Sequence, residues 1–162
     1  MILDLDRGPL GRIDLDISHH LGVVMDEAEQ VEIDLTGQLT VDNLRNRVIL
    51  TGELNGMTVA ECDRCLESFE LGFEIPVEIQ ILRDTEQEEE DESDTCIIHQ
   101  RNGEVDLQAP LGELALVALP QKCLCSEDCH GLCPQCGINL NRETCSCKSE
   151  EEDPRWAGLP TE

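Results

Sequence analysis

Cysteine spacing constrains this chain more than any other feature. Eight of the ten cysteines fall in two segments: Cys62-Asp-Arg-Cys65, and a run from Cys125 through Cys129, Cys133-Pro-Gln-Cys136-Gly and Cys145-Ser-Cys147. Cysteine pairs one to three residues apart, with Gly and Pro among them, let a backbone turn two thiolates toward one ion. Zinc favours tetrahedral thiolate sites with this paired spacing. The expected ligands are Cys62, Cys65, Cys125, Cys129, Cys133, Cys136, Cys145 and Cys147, for one or two zinc ions. Cys96 and Cys123 are left over and read as ordinary thiols.

The ligand pairing stays open on spacing. Cys62 and Cys65 with Cys125 and Cys129 would leave Cys133, Cys136, Cys145 and Cys147 as a second site. Cys62 and Cys65 with Cys133 and Cys136 would group the rest instead. A single-ion protein with one cysteine set unused also fits. Pro134 restricts the Cys133–Cys136 turn, and Gly137 permits the positive φ that points backbone amides at sulfur. His130 beside Cys129 reads as solvent-facing, and His19 and His20 carry no motif.

A disulfide framework would need an oxidising compartment. The opening Met1-Ile-Leu-Asp-Leu-Asp-Arg7 has no basic start, no adequate apolar run and no small-residue cleavage site, so no secretory leader is expected. No segment approaches the ~20 apolar residues of a membrane span. A cytoplasmic protein is the expectation.

The formal net charge is −25, with 11 Lys and Arg. Each filled four-thiolate site would add about two more negative charges. Nucleic-acid affinity rests largely on neutralising phosphates with basic side chains. Extensive direct RNA binding is therefore not expected, and the favoured partner is a basic protein.

The remaining chain reads as an α+β domain over 1–120, a mainly antiparallel sheet or partial barrel with one packed helix. A cysteine-rich zinc module over 121–148 and a polar tail over 149–162 follow it. Val31, Ile33, Leu35, Leu39 and Val41 alternate with polar residues, the pattern of a half-buried strand. A turn over 42–46 leads to a strand over 47–61, where Gly52 and Gly56 suggest bulges or close packing. A third strand covers 69–81, and Pro76 within it argues for an edge or a bulge. The acidic run 84–94 reads as a disordered or mobile loop, either merely solvated or a lure for a basic partner, and 96–99 as a short strand. Asp106 can cap a helix over 106–119 with Leu107, Leu111, Leu114 and Ala118 on one face, ended by Pro120. With only two Phe, one Trp and no Tyr, the core must be Leu, Ile and Val.

These motifs resemble the YceD family, the bacterial and plastid group named for large ribosomal RNA subunit accumulation. The residues that carry the resemblance are Cys62-Asp-Arg-Cys65-Leu66, Leu119-Pro120, the run from Cys125 through Gly131-Leu-Cys133-Pro-Gln-Cys136-Gly-Ile-Asn-Leu-Asn141, Cys145-Ser-Cys147 and Asp153-Pro-Arg155. The resemblance runs from about Val31 to Trp156. It implies a cytoplasmic protein that supports synthesis, processing or stability of large-subunit (23S) ribosomal RNA; joined to the charge, this makes a basic large-subunit ribosomal protein or pre-ribosomal particle the expected partner. Some members of that family lack the Cys-Pro-x-Cys knuckle, which favours pairing Cys62 and Cys65 with Cys125 and Cys129. The resemblance supplies no catalytic residue, and no enzyme is expected, since a catalytic zinc needs an open position. The alternative function is a redox-responsive zinc-thiolate protein, because adjacent Cys-x-x-Cys and Cys-x-Cys units are also the layout of thiol sensors.

Overall fold

A computed structural model describes residues 2–4, 10–26, 29–44, 47–82, 96–99 and 103–147. The acidic run 84–94 and the tail 149–162, with Trp156, lie outside the described residues. Among these, the main element is a five-stranded sheet of order β2-β3-β4-β5-β6: β2 (Gly11–Asp26), β3 (Glu29–Asn43), β4 (Arg47–Glu61), β5 (Ser68–Leu82) and β6 (Cys96–His99). β1 (Ile2–Asp4) pairs separately with β7 (Glu104–Asp106). The helix α1 spans Gln108–Ala118. No described helix is long and apolar enough to cross a membrane.

Alternation explains the sheet. On β3, Ile33, Leu35, Leu39 and Val41 are buried while Glu32, Asp34, Thr36 and Gln38 are exposed. On β4 and β5 the inner faces carry Val48, Leu50, Leu54, Ile75, Val77, Ile79 and Ile81. α1 covers this dry face with Leu111 and Ala115, joined by Leu107 just before its first residue. It lies against β2 and β5, the outer members of the four long strands, more closely than against β3 and β4 between them. That is the contact pattern of a sheet curled around a helix. Gly37 and Gly52 make the curl possible. A Cβ at Gly52 would stand 2.7 Å from Gln38 O, and one at Gly37 would stand 2.9 Å from Glu53 O. Glycine kinks in central strands are a known route to sheet curvature.

The mainly antiparallel sheet with one packed helix is as expected, and the structure adds four details. A 16-residue strand, β2, occupies the N-terminal region that pattern reading left unassigned. Ile13, Leu15, Ile17, Leu21 and Val23 do alternate there, but half-buried His19 interrupts the apolar face. β6 runs parallel to β5, so the sheet is mixed. Its two edges, β2 and β6, do not pair among the described residues, so no closed barrel forms. The helix begins at Gln108, not Asp106; Asp106 still accepts the Gln108 N–H at 2.9 Å, which pulls its carboxyl below the ordinary range. Pro76 faces Glu53 without a register shift, in the part of β5 that β6 does not pair. It therefore marks an edge, not a bulge. Gly52 and Gly56 likewise mark close packing, with Phe73 lying over Gly56.

Candidate metal centre

The first cysteine pair sits at the tip of the β4–β5 hairpin. Inward alternation along β4, through Leu54, Gly56 and Thr58, carries on to Cys62, which is fully buried. The turn is then tied by two backbone hydrogen bonds. The Cys62 N–H donates to Glu67 O at 2.9 Å, and the Leu66 N–H donates to Cys62 O at 2.8 Å. The second knuckle repeats this pattern: the Cys133 N–H donates to Ile138 O and the Gly137 N–H to Cys133 O, both at 2.9 Å. The fifth residue must turn left-handed in each. Gly137 does so with φ 74°, but in the first knuckle the same position is Leu66, with φ 60°.

A left-handed leucine costs about 1–2 kcal/mol, and glycine returns roughly 0.5–1 kcal/mol of that through unfolded-chain entropy. Leu66 is 57% exposed, so little packing opposes the change. Leu66→Gly should therefore stabilise the metal-loaded protein by about 0.5–1 kcal/mol in denaturant titration. A loss of stability would mean that the leucine makes a contact worth more than its backbone strain.

The two residues between the cysteines dock the C-terminal module. The Asp63 N–H donates to Cys123 O at 2.8 Å, and Asp63 Oδ2 accepts the Cys123 N–H at 2.7 Å. Arg64 Nη1 donates to Cys129 O at 2.8 Å, and Arg64 O accepts the Leu132 N–H at 3.0 Å. This stitching delivers Cys125 and Cys129 to Cys62 and Cys65. Cys62 Sγ and Cys129 Sγ stand 3.8 Å apart, and Cys65 Sγ and Cys125 Sγ 3.7 Å apart. A tetrahedron with zinc–sulfur bonds of about 2.3 Å has edges of about 3.8 Å.

Cys133, Cys136, Cys145 and Cys147 form a second cluster, with Cys145 Sγ 3.3 Å from Cys133 Sγ and 3.6 Å from Cys136 Sγ. In each cluster all four sulfurs lie within 4.8 Å of one another, and either could hold a metal ion. The rival grouping of Cys62 and Cys65 with Cys133 and Cys136 is not formed. Cys96 lies against the sheet core and Cys123 hydrogen-bonds to Pro120 O, so both stand apart from the clusters.

Crowded thiols cannot all ionise unaided. The Cys125 N–H donates to Cys62 Sγ at 3.4 Å and pulls that thiol down to about 6. The Cys136 and Gln135 amides draw Cys133 down to about 6. Cys125, beside Cys129, is pushed up to about 12, and Cys147, beside Cys145 and Cys136, also to about 12. A divalent ion would resolve this conflict.

Among the histidines, His130 contributes its backbone N–H to Asn141 Oδ1, not a ligand atom. His20 lies on the wet face of the sheet, with Nδ1 2.7 Å from Asp34 and Nε2 2.8 Å from Glu32; these carboxylates raise its pKa above the ordinary histidine value. The docking roles of Asp63 and Arg64, and a contact from Asn141 to Cys129 Sγ at 3.3 Å, were not foreseen. Their positions within and beside the cysteine motifs were the only available signal.

The family model of the large ribosomal RNA subunit accumulation protein YceD matches residues 50–161. An uncharacterised protein of Mycobacterium tuberculosis is 31% identical over 85% of this chain and 64% of its own length. One from Mycobacterium leprae is 26% identical over 93% of this chain and 64% of its own length. The chain thus spans under two thirds of these relatives. The chloroplastic YCED homolog 1 of Arabidopsis thaliana, named a large ribosomal RNA subunit accumulation protein, is 32% identical over 35% of this chain and 17% of its own length. No solved structure matches. A family match that takes in both cysteine clusters and β5, together with the mycobacterial similarity that extends over most of the chain, places this protein in the YceD family.

Proposed function

We propose that the protein is a non-catalytic accessory factor of ribosome biogenesis that supports large-subunit ribosomal RNA in the cytoplasm by holding a basic ribosomal protein. The family supports the ribosomal setting. The observation that carries the contact mode is the wet face of the sheet. It presents Asp14 and Asp16 from β2, Glu32 and Asp34 from β3, Glu53 from β4, and Glu70, Glu74 and Glu78 from β5, all exposed. The basic groups on this face are few among the described residues: Arg12 is tied to Asp42 in a two-pronged pair at 2.7 and 2.9 Å, His20 sits between Glu32 and Asp34, and Arg47 stands at the far end.

The carboxylates are spaced so that the fold tolerates them. Asp14 faces Thr40, Asp16 faces Gln38, Gln38 faces Glu53, Glu53 faces Pro76 and Asn55 faces Glu74. Like charges directly opposite one another destabilise a sheet, and none of these pairs has them. Exposed Met57 and Val59 lie among the acids, opposite Gly72 and Glu70. An apolar island within an acidic field suits a basic protein that also offers apolar side chains.

Zinc is the proposed metal. It would complete two closed four-thiolate cross-links with no open position for a water or a substrate. Cys62, Cys65, Cys125 and Cys129 would staple the module to the hairpin, and Cys133, Cys136, Cys145 and Cys147 would hold the module together.

Capture of tagged protein from growing cells, with and without RNase, tests this reading. Basic large-subunit ribosomal proteins should remain bound after RNase. Their disappearance would mean that the association runs through RNA despite the charge.

A further inference from the structure

Asn141 belongs to neither ligand set, yet it touches the first cluster from within the second. Its Nδ2 donates to Cys129 Sγ at 3.3 Å, and its Oδ1 accepts the His130 N–H at 2.7 Å. A backbone N–H can only donate, so the oxygen must face His130 and the amine must face the sulfur. Asn141 lies on the stretch of chain between Cys136 and Cys145, two residues of the second cluster. That stretch is folded locally: the Asn141 N–H donates to Asn139 Oδ1 at 2.9 Å, and the Leu140 N–H donates to Gly131 O at 2.9 Å.

We infer that Asn141 couples the two clusters, so that metal held by Cys133, Cys136, Cys145 and Cys147 raises the affinity of Cys62, Cys65, Cys125 and Cys129 for theirs. An ion in the second cluster closes the 136–145 loop, and the closed loop holds the Asn141 amide on the Cys129 sulfur. Four thiolates outweigh one divalent ion by about two charges. An N–H donated to one of them disperses that excess and favours the loaded state. Such outer partners are typically worth about 10–100-fold in metal affinity. Linkage requires the same factor in reverse, from the first cluster to the second. Asn141 is thus a positioning residue. The inference is independent of the ribosomal reading, because no partner enters it.

Cadmium titration of the full chain tests it, with cadmium NMR reporting each cluster and chelator competition giving affinities. Cys136→Ser assigns the second-cluster resonance by removing it. Asn141→Asp keeps an oxygen for His130 but turns a carboxylate oxygen toward the sulfur. It should weaken the first cluster at least about tenfold and shift that cluster's resonance. Cys136→Ser should also weaken the first cluster, and the double variant should be no weaker than the weaker single. Arg142→Ala removes a 2.7 Å ion pair to Glu67 across the same junction and should leave the affinity within roughly twofold, as exposed pairs do. An unchanged first-cluster affinity and resonance in Asn141→Asp would overturn the inference. So would single effects that multiply in the double variant, or clusters that take up no cadmium. Where Cys136→Ser unravels the module, the second-cluster affinity of Asn141→Asp decides: by linkage it should fall with the first, and an unchanged value would overturn the coupling.

Discussion

Stripping the metal from the loaded protein will unravel residues 121–147 and leave the sheet standing. The two parts are held by different physics. The sheet and helix bury a continuous set of aliphatic side chains, with Leu21, Ile33, Leu39, Leu50, Leu54, Ile75, Ile79 and Leu111 almost wholly enclosed. Residues 121–147 contain no helix or ladder among the described residues, only one isolated bridge between Leu132 and Asn139. The buried cluster that joins this module to the hairpin is Cys62, Cys65 and Cys129, with Phe69 and Leu124 against it. Without an ion these sulfurs supply little cohesion. With one, the binding free energy becomes folding free energy, about 10–16 kcal/mol for small zinc modules at neutral pH. Chelation followed by limited proteolysis should give cuts within 121–147 and a protected sheet core. Amide exchange should show the same division. A module that stays protected without metal would show that its backbone hydrogen bonds suffice.

Acid should act in the same direction as the chelator. Metal binds thiolates, so protons compete for the ligands. Cys62 and Cys133, held near 6, are ionised at neutral pH, whereas Cys125 and Cys147, near 12, must release protons when the ion arrives. Affinity therefore rises with pH and falls on acidification, on the order of tenfold per pH unit for each proton displaced. Below about pH 6 the two low-pKa sulfurs also take up protons, and the fall should steepen. A chelator competition that gave the same affinity at pH 5 and pH 8 would contradict thiolate ligation.

The sequence carried the sheet where its pattern was uninterrupted. β5 alternates over its whole apolar face and β3 over all of its own but Gly37, and a two-residue period has one structural meaning. β2 alternates too, but His19 occupies an inward position and hides the period. The parallel course of β6 was not legible, because four residues, Cys96–His99, cannot state a direction. Spacing named the eight ligands but not their grouping, because Cys133 and Cys136 could close with Cys145 and Cys147 or with Cys62 and Cys65. The halves of the first cluster are 60 residues apart. Their pairing depends on Asp63 and Arg64, whose hydrogen bonds to the Cys123–Leu132 segment exist only after the hairpin has folded. Family resemblance suggested the grouping, and tertiary contact supplies the cause.

Reversing three charges on the wet face should abolish partner capture while leaving the fold intact. Glu53 faces Pro76 across the β4–β5 pair, and Glu74 and Glu78 stand on either side of Pro76 on the same face. The three acids share one exposed face, and among the described residues none of them is in an ion pair. Changing all three to Lys moves the local charge by six units. Exposed substitutions of this kind typically alter stability by no more than about 0.5 kcal/mol each, and the change also relieves repulsion in a chain of net charge −25. Its effect on a basic partner should be far larger. Electrostatic steering raises association rates by roughly 10–1000-fold, and like charges brought together at an interface cost several kcal/mol. Capture of large-subunit ribosomal proteins, quantified by mass spectrometry, should fall by about 100-fold or more at low salt. A triple change to Gln should give an intermediate loss, and rising salt should weaken the parent protein's capture more than that of either variant. Equal capture by all three proteins would place the contact elsewhere and remove the acidic face from the functional account.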